Sequence, residues 1–357
     1  MQLLDSTLRE GEQAPGVSFS IDEKKDIARA LDEFGIDIIE LGHPVVSEDI
    51  EKACRIIAGD NLRAETLAHS RAMKSDIDMA KAVGATWVGI FLGTSQLSLE
   101  HKLHIDRDAA LKKISESVAY AKELGLKVRF TPEDATRTDL DYLDEAIAAA
   151  TEAGADRISI ADTVGTATPA TYGNLIKHVV EQINVTVHTH RHNDYGIAVA
   201  NSLAGFEAGA HLIDVTVNGL GERTGIATLA PVVVALTRLY EVGKDWRLEK
   251  LPEISRLVEK SSGMFNSEIE PIVGEHAFAH KSGLHTKAVL EDPETYEAIP
   301  PEIVHKQREI IIDKYTGKAA VKSRLTEMGV EPTEKQLEEI VSRVKASASD
   351  GKTKFTD

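Results

Sequence analysis

The sequence predicts an α/β fold: a (β/α)8 TIM barrel followed by a smaller, mainly helical C-terminal subdomain. Three observations carry the prediction. Eight short apolar or β-branched runs recur before residue 217, helix-patterned stretches separate them, and the rhythm stops near residue 245. Strands alternating with helices at this interval close into a parallel barrel of ordinary size. A doubly wound open sheet is the competitor, but no Gly-x-Gly-x-x-Gly follows the first strand to support it.

The strands are expected in order at QLLD (2–5), IDIIEL (36–41), LRAETL (62–67), TWVGIFL (86–92), KVRFT (127–131), RISIAD (157–162), NVTVHTH (184–190) and LIDVTV (212–217). IDEKKDIARALDEFG and NLIKHVVEQI have the three-and-four apolar spacing of helices. Ser20 and Glu23 form a Ser-x-x-Glu capping box at the start of the first. Residues 1–245 are therefore read as the barrel. Residues 246–357 are read as the second subdomain, with helices at LPEISRLVEKSSG, HKSGLHTKAVL and PTEKQLEEIVSRVKASA. The polar tail ASDGKTKFTD is expected to fray.

Composition narrows the function. A net charge of −17 disfavours nucleic acid or an anionic membrane as partner, while leaving room for a local basic pocket that takes a small anion. Cys54 is the single cysteine, so no intrachain disulfide or Cys-x-x-Cys zinc site exists, and a cytoplasmic location is expected. An acid at position 5 fits neither a signal nor a transit peptide, and no run of eighteen apolar residues suggests a membrane span.

Barrel enzymes place their chemistry at the C-terminal strand ends. Here those ends hold Asp5, Arg9, Glu10 and Gln13, then His69, Glu133 with Asp134, Asp162 with Thr163, His190 with His192, and Asn218 in NGLGERTG. His190 and His192 lie two apart on a strand and share a face. Two imidazoles and a carboxylate leave coordination positions open, as a catalytic metal site needs. The first strand offers two carboxylates for it, Asp5 and Glu10. His188, deeper in the strand, is expected to be a buried, neutral, hydrogen-bonded histidine.

Together, DSTLREGEQAPG, HRHNDYGIAVAN and NGLGERTGIA resemble the acyl-CoA-condensing branch of the metal-dependent barrel enzymes: the homocitrate, isopropylmalate and citramalate synthases. The resemblance runs from residue 2 to about 320. It implies that Glu10, rather than Asp5, joins His190 and His192 on a divalent ion (magnesium, manganese or zinc). It also implies that Arg9 binds the substrate carbonyl or its oxyanion and that Asn218 lies near the metal. The implied reaction joins the enolate of acetyl-CoA to a 2-oxo acid and then hydrolyses the thioester. AFAHKSGLH implies that His285 reaches the active site of the other subunit, in a homodimer that exchanges its C-terminal subdomain. Glu133 is the acid/base partner read for it, and His280 is a helper or a structural residue. Leu290 stands where some homocitrate synthases are expected to carry a tyrosine.

The 2-oxo acid is read from cations. Isopropylmalate and citramalate synthases take acids without a distal charge, whereas a homocitrate synthase must hold the second carboxylate of 2-oxoglutarate. His69 in AHSRA and Arg129 in VRFTPED resemble the positions used for it, with Thr131 and Thr163 as hydroxyl donors and Gln13 orienting the substrate. A rim hydrogen bond and a barrel salt bridge are the respective structural alternatives. The reading is homocitrate formation, the first step of lysine biosynthesis by the aminoadipate route, with 2-isopropylmalate or citramalate formation as alternatives. A hydroxymethylglutaryl-CoA lyase would carry a cysteine in the loop after strand eight, and NGLGERTG has none.

Overall fold

The computed structural model describes residues 1–349. Eight parallel strands close into a barrel in sequence order: β1 Gln2–Asp5, β2 Ile38–Gly42, β3 Glu65–Arg71, β4 Trp87–Gly93, β5 Lys127–Glu133, β6 Arg157–Asp162, β7 Thr186–Arg191 and β8 Leu212–Val215. Closure comes from β1 on β8, with Leu4 opposite Asp214 and Asp5 opposite Val215. Between strands run α1 Ile21–Phe34, α2 Glu48–Ala58, α3 Lys74–Ala82, α4 Arg107–Glu123, α5 Leu140–Glu152, α6 Pro169–Gln182 and α7 Ala198–Glu207, and α8 Leu229–Leu239 follows the last strand.

Local chemistry sets these boundaries. The Ser20 hydroxyl accepts from Glu23 N while the Glu23 carboxylate accepts from Ser20 N, so the expected capping box forms. Gly35 ends the helix in the left-handed region at φ 103°. The inner face of α1 buries Ile27, Leu31 and Phe34, each contributing about 1.5–3 kcal/mol.

Several strand limits differ from expectation. The third begins at Glu65 rather than 62, because Arg63 N and Ala64 N donate to the Asp32 carboxylate of α1 instead of to a neighbouring strand. It then runs on to Arg71, paired with Phe91, and β5 runs to Glu133, paired with Gly93. His69 and Glu133 therefore lie within their strands, not after them. The eighth strand stops at Val215, since Val217 N turns to the Thr7 hydroxyl.

The chain packs as two units. Met1–Arg247 with Glu253–Phe265 forms the barrel unit, and Leu248–Pro252 with the residues from Asn266 onward forms the second. Helix α9 (Leu251–Ser262) follows the barrel; the second unit contains β9 Ala279–His280, α10 Gly283–Glu291, β10 Glu309–Ile310, α11 Lys318–Glu327 and α12 Glu334–Ser349. Its interior includes Val289, Val304, Ala320 and Leu337. The tail from residue 350 lies outside the described residues, and none of the described helices is long and apolar enough to cross a membrane.

Candidate active site

The loop after β1 begins with Asp5, which is fully buried and accepts from Thr7 N at 2.8 Å. Burial pushes its carboxyl up to about 7. Asp5 shapes the turn, and the turn delivers Arg9 and Glu10. Among the described residues, Glu10, His190 and His192 are the one trio of His, Cys, Asp or Glu side chains within metal-ligand spacing, with ligand atoms inside 4.8 Å of one another. Glu10 Oε2 lies 4.0 Å from His190 Nε2, and Glu10 Oε1 lies 3.8 Å from His192 Nε2. Burial works against the charge of Glu10, yet Arg9 and the two imidazoles hold its carboxyl at about 2.

The surroundings orient this trio. His190 Nδ1 donates to Asp214 Oδ2 at 3.2 Å, which leaves its Nε2 lone pair facing Glu10. Burial, then neighbouring His190, lowers His192 to about 4, keeping it neutral. His188 is fully buried beneath, bonded to Asp214 Oδ1 at 3.3 Å and lowered by burial to about 4. Glu222 N donates to Glu10 Oε1 at 3.1 Å from the loop after β8. Arg223 clasps that loop, at φ 57°, with two bonds to Asp194 (2.8 and 2.9 Å) and one to the Thr163 carbonyl (2.7 Å).

The trio opens into a cavity of about 230 Å³ whose lining includes Arg9, Gln13, His69, Phe91, Lys102, Arg129, Thr131, Glu133 and Thr163. Glu40 is the hub of its wall. Fully buried on β2, it accepts from Ser6 and from Arg9 Nε (2.8 Å) on Oε2, and from His69 Nδ1 (3.1 Å) and Arg129 Nη2 (2.9 Å) on Oε1. Despite its burial, Arg9 and Arg129 hold its carboxyl well below the usual carboxylate range.

Residues 1–258 match the HMGL-like family, and residues 272–352 match a region described as homocitrate synthase post-HMGL domain-like. The chain belongs to the HMGL-like family. It is 50% identical to a probable 2-isopropylmalate synthase of Methanopyrus kandleri, over 99% of this chain and 70% of that protein. It is 48% identical to a homocitrate synthase of Pyrococcus abyssi, over 92% and 90%. A second M. kandleri protein, a homocitrate synthase, is 45% identical over 99% and 89%. The fold is shared with the HMG-CoA lyase of Bacillus subtilis, with a TM-score of 0.67 and 19% identity over 74% of this chain and 94% of that one.

Within this HMGL-like barrel the sequence-predicted residues fare differently. Arg129 is both cavity lining and salt bridge: only 2% exposed, it bonds Glu40 while its Nε and Nη1 have no hydrogen-bond partner, Asp214 Oδ2 lying 3.6 Å from Nη1. The Thr131 hydroxyl is buried and also unpartnered, and the Thr163 hydroxyl accepts from Asp134 N. His69 stacks on Phe91 at 4.6 Å. Burial, then the charge of Arg9, lowers it to about 3, so with Nδ1–H given to Glu40 its Nε2 offers a lone pair. His69 thus both lines the cavity and holds a wall hydrogen bond to Glu40. Glu133 is held by Lys102 Nζ through both oxygens at 2.7 and 2.8 Å.

Asn218 places its amide on Ser255 of α9 and is not among the cavity-lining residues. In the second unit His280 bonds Glu297, which also holds Arg308. His285 is exposed on α10 with its ring centroid 4.1 Å from that of Tyr296. Sequence reasoning missed Glu40, Asp214 and Lys102. The first two had a signal, an acid inside a largely apolar strand run (IDIIEL and LIDVTV); Lys102 had none.

Proposed function

We propose that this chain condenses acetyl-CoA with 2-oxoglutarate and hydrolyses the product thioester, releasing homocitrate and CoA. Arg129 carries this reading. A buried guanidinium with open donors is costly until an acceptor arrives, and a carboxylate can satisfy two of them at once. Of 2-oxoglutarate, 2-oxoisovalerate and pyruvate, the first alone has a second carboxylate. Thr131 adds an unpartnered hydroxyl beside it in the cavity lining.

One carboxylate and two imidazoles, one of them oriented by Asp214, suit a divalent ion (magnesium, manganese or zinc) held by Glu10, His190 and His192. Such an ion would supply Lewis-acid polarisation of the keto group. Arg9 donates to the same oxygen as negative charge develops on it. Gln13 and Thr163 orient the substrate from the cavity wall. Glu133 exchanges the methyl proton of acetyl-CoA, and the Lys102 pair opens before it does. His285, supplied across a homodimer by an exchanged C-terminal subdomain (246–357), works with Glu133. The substrates are small molecules, the setting is cytoplasmic, and neither nucleic acid nor membrane is a partner.

The test is CoA release from acetyl-CoA with each of the three 2-oxo acids, after chelation and after metal is restored. Metal-dependent turnover with the highest kcat/KM for 2-oxoglutarate is expected. Turnover confined to 2-oxoisovalerate or to pyruvate overturns the reading in favour of isopropylmalate or citramalate formation.

A further inference from the structure

One rung of the barrel wall runs through His69 on β3, Gly89 on β4 and Arg129 on β5, each opposite the next in register. Its middle position has no side chain. Glu40 Oε1 nevertheless accepts from both ends of the rung, from His69 Nδ1 at 3.1 Å and from Arg129 Nη2 at 2.9 Å. The guanidinium reaches that oxygen by lying over Gly89. A Cβ at position 89 would stand 2.8 Å from Arg129 Nη2, 3.3 Å from its Cζ and 2.8 Å from Leu67 Cδ2. The backbone of Gly89 is not in the left-handed region, so conformation does not call for glycine there. Space does.

We infer that Gly89 is a specificity-determining position: its missing side chain fixes where Arg129 holds its guanidinium, and so admits a 2-oxo acid with a distal carboxylate. The closest atoms that a Cβ meets are far ends of flexible side chains, so a substitution moves the guanidinium and Leu67 before it moves the barrel backbone. The displaced guanidinium leaves Glu40 and takes up part of the 230 Å³ cavity, where the distal carbons of the substrate must lie. The inference rests on the reaction proposed above.

The experiment is steady-state kinetics of wild type, Gly89→Ala, Arg129→Gln and the double variant. Gly89→Ala is expected to raise KM for 2-oxoglutarate about tenfold or more, leaving KM for acetyl-CoA unchanged within about twofold. In the Arg129→Gln background the same change should add less than about twofold, because its effect runs through Arg129. If Gly89→Ala does not fold, Leu67→Val/Gly89→Ala relieves one of the two closest overlaps and must show the same KM rise. An unchanged KM in a folded variant, or an equal effect with and without Arg129, overturns the inference. A wild-type protein idle on 2-oxoglutarate overturns the reaction itself, and this inference with it.

Discussion

Replacing Glu40 with glutamine tests the hub on which the site wall is built. The carboxylate is 0% exposed and accepts four hydrogen bonds, two per oxygen, from Ser6, Arg9, His69 and Arg129. A glutamine amide has one acceptor oxygen and one NH2 group. Whichever way it turns, the NH2 faces a guanidinium N–H that can only donate, so that bond is lost, while the Ser6 hydroxyl or the neutral His69 ring must reverse its role to accept. It also leaves buried Arg129 and partly buried Arg9 without their shared anion. Removing one partner of a buried ion pair costs about 3–5 kcal/mol, because the remaining charge stays desolvated. At about 2–4 °C per kcal/mol, the barrel transition should fall by roughly 10 °C. The assay is thermal and urea unfolding by far-UV circular dichroism, without substrate. A melting point within about 2 °C of wild type would refute the hub. The Glu40→Gln/Arg129→Gln double variant adds a second check. Its loss should be clearly smaller than the sum of the singles, since two neutral groups no longer leave that charge unpaired; additivity would show the pair is not a unit.

Two further outcomes follow from burial and backbone geometry. His69 and His188 are held neutral in the fold, at about 3 and about 4 against an ordinary 6.5. The unfolded chain therefore gains protons before the folded one does. Each histidine's contribution, and that of His192, also at about 4, is complete above pH 6.5 and falls as pH drops toward the folded value, by about 2 kcal/mol per histidine at pH 5. Asp5, raised to about 7, protonates first in the fold and offsets part of this loss below pH 7, leaving a net decrease. Glu10, held at about 2, loses stability in the same direction below its ordinary 4.5. Urea midpoints at pH 7.5 and pH 5 in chelator should differ accordingly, and equal midpoints would contradict the burial argument. At Gly225, with φ +75°, a Cβ would stand 1.7 Å from the Gly219 carbonyl oxygen, whereas at Gly16, φ +86°, it meets nothing within 4 Å. Both alanine variants carry the same left-handed strain, about 1 kcal/mol. Gly225→Ala should nevertheless lose several kcal/mol more in denaturant titration, and equal losses would contradict the packing of the loop after β8.

The barrel was legible because its signals are local. Period-two and continuous apolar runs give strands, three-and-four spacing gives helices, and a Ser-x-x-Glu box starts the first helix. The pairing of His190 with His192 was legible for the same reason, since strand geometry puts alternate residues on one face. Strand ends were less legible. What stops or extends a strand is a distant partner, such as the Asp32 carboxylate that takes Arg63 N and Ala64 N, or the Gly93–Glu133 pairing that prolongs β5.

The sequence by itself determined the alternation of strands and helices, the cluster of polar groups at the strand ends and, through three motifs, the family. Of Asp5 and Glu10, which both end or follow one strand, the resemblance singled out Glu10, and the tertiary structure shows why strand position alone could not: Glu10 is the one that meets His190 and His192 across the closed barrel. Only the tertiary structure decided the charge state of His69, which depends on burial and on Arg9 and Glu40 rather than on its neighbours in AHSRA. The reason is physical. Periodicity is written over a few residues, whereas desolvation and ion pairing are set by side chains tens of residues away: Glu40 stands 31 residues from Arg9 and 89 from Arg129.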